Sequence, residues 1–409
     1  MPETTNEPVI KRSVFGKEKR KKPPKLSRML SFIFFAAFFA VVLGGLGIFW
    51  LVRDDLSENP LSSFAKDLSW NLRRRAQTSA EKIIFDGHID NAYAPFKEGL
   101  AVLTANRLVC YDAVGREIVS AERTFKKPCL LSSPKNVLAF DRGGDTFVLV
   151  NERGILLDER PERPIITASL NRQGYIALVT QADRYKSLLT VMDDKGGLIF
   201  KYYSPDYYIL DAVLSPDSNM AALSFAGFED NWIKGHIKVF DLTLSDGDEI
   251  IGNPAAVLRP GDDDGLVTEI IFQKGGNISA VCEKSISFYS LDGVLLNRAD
   301  FSVMLDYSVI STGIAVRSSR TDAGMESRLD LFGFDGELID STVLNEEIIC
   351  QSGGGDYVTL VTSRSIRVYD RMLALKSDEP NESHTRRILQ RDNGTMFLIF
   401  NDHALIYSP

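Results

Sequence analysis

The sequence predicts that most of the chain is all-β, a β-propeller of eight four-stranded blades. Three observations predict it. From Glu81 onward, short runs rich in Val, Ile, Leu, Tyr and Phe alternate with Gly, Asp, Asn and Ser, and helical periodicity is scarce. One strand ending recurs eight times at a spacing near 42 residues, the period of a propeller blade. The last copy is one strand short, while the domain opens with one strand too many.

Taken from the N-terminus, the first 28 residues are a basic tail. They hold nine Lys/Arg and three Glu, a net of +6. The total is −8, so the chain from Arg53 on carries −14. An acidic body argues against nucleic acid as a partner, because phosphates require a basic footprint.

The stretch "MLSFIFFAAFFAVVLGGLGIFWLV", residues 29–52, has no charge. As a helix it is about 36 Å long, enough for a hydrocarbon core of roughly 30 Å. It exceeds a signal-peptide h-region, and "GIFWLVRDD" offers no A-x-A cleavage pattern. A transmembrane helix in contact with the lipid bilayer is expected. Lys17, Lys19, Arg20, Lys21, Lys22, Lys25 and Arg28 precede it, and Arg53, Asp54 and Asp55 come after it. The positive-inside rule then places the N-terminus in the cytoplasm and the C-terminal domain outside.

Residues 53–80 form a linker. In "PLSSFAKDLSWNLRRR", Leu61, Phe64, Leu68 and Leu72 recur at helical spacing. A short amphipathic helix over 61–75 is expected, either lying on the outer leaflet or packed as a stalk.

The repeat occupies residues 81–409. "RLVCYD", "TFVLVN", "LLTVMD", "HIKVFD", "SISFYS", "RLDLFG", "SIRVYD" and "HALIYS" each close an apolar strand on a small or polar residue. Tyr111, Val150, Met192, Phe240, Tyr289, Phe332, Tyr369 and Tyr407 mark them, at gaps of 39, 42, 48, 49, 43, 37 and 38. Most are followed by a turn ending in Gly, such as "DAVG", "DDKG" and "GFDG". A second strand precedes each marker, and before that a strand ends in a turn such as "LSPDSN". The count implies eight blades, with seven as the alternative if one unit is irregular. A lone blade cannot bury both faces, so the blades must stack into a ring. The last unit, "RRILQRDNGTMFLIFNDHALIYSP", has three strands, and Lys82 to Phe85 is expected to supply its fourth.

The "LSPDSNMAALSF" and "FDLTLSDG" patterns resemble blades of WD40-like and quinoprotein-like propellers, without the W-D dipeptide of true WD40 repeats. The layout of basic tail, single span, short stalk and propeller resembles an uncharacterised, domain-of-unknown-function family of bacterial membrane-anchored propellers. That resemblance implies no catalytic residues.

Chemistry is sparse. His88, His236, His384 and His403 make no paired ligand spacing, and surface or strand-end positions are expected. Cys110, Cys129, Cys282 and Cys350 each fall in an apolar strand and read as buried free thiols. No G-x-S-x-G or phosphate loop occurs. No catalytic residue, metal or cofactor is therefore assigned.

The candidate interaction surface is built from inserts. Asp262, Asp263 and Asp264 in "PGDDDG" are consecutive, unlike the alternating acids of an EF-hand, and a solvated inter-blade loop is expected. Tyr202, Tyr203 and Tyr207 in "KYYSPDYYIL" are either an exposed aromatic contact or core rings of a strand pair. Trp232 stands in the long insert "FAGFEDNWIKGH", and "SSRTDAGMESR" lengthens another blade. The expected role is a non-catalytic scaffold for an envelope protein partner. The alternatives are a binder of a small ligand or envelope glycan, and then a propeller hydrolase.

Overall fold

A computed structural model describes residues 82–408 apart from 230–231, 244–253, 262–263, 274, 321–326, 382–383 and 386. The expected basic tail, transmembrane helix and amphipathic helix lie outside the described residues, as do Asp262 and Asp263. Among the described residues there is no helix, and thirty-two strands form eight four-stranded antiparallel sheets. The propeller has eight blades, not seven.

Blades 1 to 8 begin with Ala92–Phe96, Pro128–Ser132, Ile165–Leu170, Tyr208–Leu214, Glu269–Phe272, Val303–Ile310, Ile348–Gly354 and Arg387–Gln390. These first strands are the inner ones and contact one another round the ring. All eight marker residues stand at the end of the third strand of a blade or one residue before it. In six blades the pairing register shifts at that marker, for example at Cys110/Tyr111 and Phe288/Tyr289. The adjoining turn explains the shift. Asp112 Oδ1 accepts the N–H groups of Val114 (3.0 Å) and Arg116 (2.8 Å), and Gly115 takes φ 78°. A left-handed Gly after such a turn forms a β-bulge that extends the hairpin without splaying it. Asp193 and Asp370 repeat the same bonds in blades 3 and 7.

The core lies between blades. Leu100 and Val102 pack toward Ile83, Phe397 and Ile399 of blade 8, while Ala101 and Leu103 pack toward Val137 and Ala139 of blade 2. A central strand is thus buried on both faces, and Gly99–Leu103 and Val137–Asp141 are buried throughout. Such strands read as unbroken apolar runs rather than alternating ones. The ring is closed as the repeat predicts. Lys82–Ile84 pairs antiparallel with His403–Tyr407, with Ile83 opposite Ala404, and becomes the fourth strand of blade 8.

All four cysteines are free thiols. Cys110 and Cys282 are buried, and Cys129 and Cys350 are half-buried on inner strands. Burial pushes the Cys110 thiol up to about 12.

Candidate functional site: the upper face of the ring

Strand order fixes which residues can meet. The chain descends the inner strand of each blade, rises, descends and rises again. The starts of the inner strands therefore share one face, here the upper face, with the turns between second and third strands. Lys82 starts at the opposite, lower face, since Lys82–Ile84 runs antiparallel to a third strand.

The most extended hairpin on the upper face belongs to blade 4. Its strands, Met220–Glu229 and Trp232–Asp241, are ten residues each and stay paired from Met220/Asp241 to Glu229/Trp232. The root is an aromatic cluster. His236 is buried, its ring stacked on Phe225 (5.2 Å) and edge-on to Tyr207 (4.7 Å). Lys238 Nζ lies 4.8 Å from the Phe225 centroid, and burial lowers its pKa. A Cβ on Gly227 would come within 2.2 Å of Tyr207 Cδ1, so only glycine lets that ring cross the hairpin. Above this root, Phe228 is 79% exposed, Trp232 74% and Ile233 54%. The cross-strand pair Phe228/Ile233 and the neighbouring Trp232 make an apolar tip on a rigid stem.

The second feature is the channel along the ring axis. Two inner strands are half-buried in an unbroken stretch, over Pro128–Ser132 and over Val303–Tyr307, so one side of each reaches solvent. In four blades the inner strand carries a bulge at the same place, between Ile165/Thr167, Ile209/Asp211, Met304/Asp306 and Ile348/Cys350. One extra residue re-aims the side chain at the end of the bulge. In these four blades that side chain is Thr167, Asp211, Asp306 or Cys350. These polar groups occupy equivalent positions near the upper mouth.

Neighbouring blades complete the mouth. Asp211 Oδ2 accepts the Ile270 N–H of blade 5 at 2.9 Å. Burial, reinforced by Glu269, pushes Asp211 up to about 6, against the bond from Ile270. Tyr307 donates its hydroxyl to Glu269 and is held protonated mainly by burial. Burial also raises Asp306 and lowers Arg317, and each charge opposes the other's shift. Arg142, in the turn after the second strand of blade 2, is close enough to act on both Asp211 and Cys129. Arg387 lies 5.4 Å from the Tyr93 ring centroid. Among the described residues no group of three or more His, Cys, Asp or Glu is placed to share a metal ion.

The residues singled out in the sequence divide. Trp232 is at the exposed tip, and Tyr207 supports the root. Tyr203 is half-buried against Tyr185 at 4.9 Å. Tyr202 is a core ring, 7% exposed and 4.7 Å from Phe240, so it presents no contact surface. Asp264 is not in a solvated loop. It is buried, pairs with Arg298 Nη2 at 2.7 Å, and accepts the Gly261 N–H at 2.6 Å and the Ser285 hydroxyl. His236 departs from its expected surface or strand-end position: it lies inside the strand Trp232–Asp241, enclosed by two rings. Asp211, Asp306, Tyr307 and Arg317 are residues that sequence reasoning missed, although an acid inside the apolar runs "ILDAV" and "MLDYS" is a signal against the β pattern. The described ends of the second insert, Ser319 and Ser327, pair at the same upper face as the Trp232 hairpin.

A closed eight-bladed propeller with a polar channel mouth and one projecting apolar hairpin defines the class. The chain belongs to DUF5711, a family of unknown function, which it matches over residues 75–405. No curated protein matches its sequence. Solved structures share the fold. BamB from Moraxella catarrhalis superposes with a TM-score of 0.53 at 11% identity, over 81% of this chain and 99% of that one. The C-terminal WD40 domain of Sif2 gives 0.54 at 13%, over 81% and 98%. Sqt1 of Chaetomium thermophilum, bound to the N-terminus of ribosomal protein L10, gives 0.55 at 12%, over 81% and 100%.

Proposed function

We propose that this chain is a membrane-anchored, extracytoplasmic scaffold that binds a protein of the cell envelope and catalyses nothing. The supporting observation is the hairpin tip. Three large apolar side chains stand in water on the longest hairpin of a closed ring, at a cost that only a partner would offset. Trp is enriched at interface hot spots, where one buried aromatic can dominate the energy. Among proteins of similar fold, Sqt1 has been captured bound to a segment of another protein.

Trp232→Ala is expected to weaken crosslinked capture of a specific protein from membranes by tenfold or more, about 1.4 kcal/mol or above, with the melting temperature nearly unchanged. Capture of the same proteins by wild type and variant alike would remove the hairpin from the interface. Turnover of an envelope-derived substrate, abolished by one polar substitution, would replace the scaffold with an enzyme.

Anchoring is inferred from the uncharged stretch 29–52 behind a +6 tail. Protease added to intact protoplasts is expected to remove the propeller and spare the tail. A propeller protected in intact cells and cut only after lysis would reverse the topology.

A further inference from the structure

We propose that a cavity on the lower face of the ring is a binding site for a neutral sugar, a mono- or disaccharide.

The cavity measures about 440 Å³, within the range of small-molecule sites. Its wall comes from the places where the inner strands of blades 8, 1, 2 and 3 end, at Gln390, Phe96, Ser132 and Leu170. Inner strands end at the lower face, so the cavity lies opposite the Trp232 hairpin. Its base is buried. Arg391 is 7% exposed, and Gln390 and Ser133 are buried beside it.

The wall is held in place by bonds between blades. Arg391 Nη2 crosses from blade 8 to blade 1, donating to the Lys97 carbonyl at 2.6 Å and to Glu98 Oε2 at 2.8 Å. Its Nη1 donates to Thr395 Oγ1 at 3.1 Å. Lys97 takes φ 51°, a left-handed conformation that its surroundings must hold. In blade 2, Ser133 Oγ accepts the Asn136 N–H at 3.0 Å. Asp392 Oδ1 accepts the Gly355 N–H of blade 7 at 3.0 Å. A wall fixed before the guest arrives lowers the ordering cost of binding.

The charges of the wall select against ions. Each of its cations has an acid beside it. Arg391 meets Glu98 at 2.8 Å, Lys97 meets Glu152, and Arg172 of blade 3 meets Asp392 of blade 8 at 3.9 Å. A charged guest has to displace a member of one pair, and at buried Arg391 that leaves an uncompensated charge.

A neutral guest can use what the pairs leave over. Arg172 and Asp392 stand exposed at the rim and are only loosely paired, so guanidinium N–H groups and carboxylate lone pairs remain available. The half-buried Ser132 hydroxyl has no partner among the described residues. Donors and acceptors therefore lie side by side, and a hydroxyl group, which is both, matches either. Pro95, Pro134 and Leu170 complete the lining with apolar surface. A sugar ring carries hydroxyls round its edge and C–H groups on its faces, and burying those faces against apolar carbons adds to binding. The cavity and the Trp232 hairpin lie on opposite faces, so the two proposals stand or fall independently.

The test uses the full-length chain in a detergent without a sugar headgroup. Glucose, galactose, N-acetylglucosamine, maltose and cellobiose are the probes. Glycerol controls for general polyol effects, and acetate and propylamine at matched ionic strength control for ion binding. At least one sugar is expected to give a saturable calorimetric isotherm and raise the melting temperature, while no control does so. Arg172→Ala and Asp392→Ala are each expected to weaken that binding by about tenfold or more, as loss of a hydrogen bond to a charged group implies. Both side chains are exposed, so the melting temperature without sugar should stay close to that of wild type. Asp392→Asn, which keeps an acceptor for Gly355, is the second variant should Asp392→Ala fail to fold. No saturable isotherm with any of the sugars up to about 10 mM, ten times a millimolar Kd, would overturn the proposal. So would an equal response to glycerol, acetate or propylamine, or binding that survives both substitutions.

Discussion

Deleting residues 81–87 is expected to unfold the described ring as a whole rather than trim one edge. The deletion removes the fourth strand of blade 8 and with it Ile83 and Phe85, both buried against Leu100, Val102, Phe397 and Ile399. Each such side chain contributes about 2–3 kcal/mol by burial. The backbone bonds of His403–Tyr407 and the seam between blades 8 and 1 are lost as well. A total above about 5 kcal/mol rivals the whole stability of an ordinary domain. Nearest-neighbour packing makes the loss spread, because the seam of blade 1 with blade 8 is then weakened. The milder Ile83→Ala should cost about 2–5 kcal/mol and keep the transition cooperative. Urea unfolding followed by fluorescence measures both. A deletion variant that unfolds as cooperatively, and at the same midpoint, as the intact chain would show that closure contributes nothing.

The second large effect has the opposite sign. Asp211→Asn is expected to stabilise the protein by about 1–3 kcal/mol at pH 7.5, from about 1.4 kcal/mol per unit of pKa displacement. The lower end reflects the partial solvent exposure of Asp211. Burial, then Glu269, raises the Asp211 carboxyl from 3.8 to about 6 in the folded state. The native state therefore holds its proton where the unfolded chain has released it, and stability falls as pH rises from about 4 through 6. The cost is complete above that window and absent below it. Asparagine carries no charge, and its Oδ1 can still accept the Ile270 N–H. Melting curves at pH 4.5 and 7.5 should show the variant's advantage at the higher pH and little difference at the lower. A variant that is less stable at both would mean that the Asp211 charge is compensated in the native ring.

Blade count, closure and turns are legible in the amino-acid order, because each rests on local chemistry. Propeller strands buried on both sides appear as apolar runs, and Asp-initiated turns with a left-handed Gly recur at fixed distances, as at Asp112/Gly115 and Asp193/Gly196. Closure is legible from one surplus and one missing strand. Trp232 is legible as an insert residue, since a lengthened hairpin projects wherever its blade lies.

The meeting of charges on the axis is a property of the folded ring. Asp211, Glu269, Asp306 and Arg142 come from four different blades, and ring geometry alone brings them together. The bulges at Ile209/Asp211 and Met304/Asp306 add one residue to an inner strand, and a one-residue slip exchanges the faces of a strand. Strict alternation therefore misplaces the residues that matter most there. Asp264 is misread, and Tyr202 is left open between contact and core, for a related reason. Whether an acid is solvated or a tyrosine exposed depends on Arg298 and Phe240, contacts that lie 34 and 38 residues away along the chain and become neighbours only on folding.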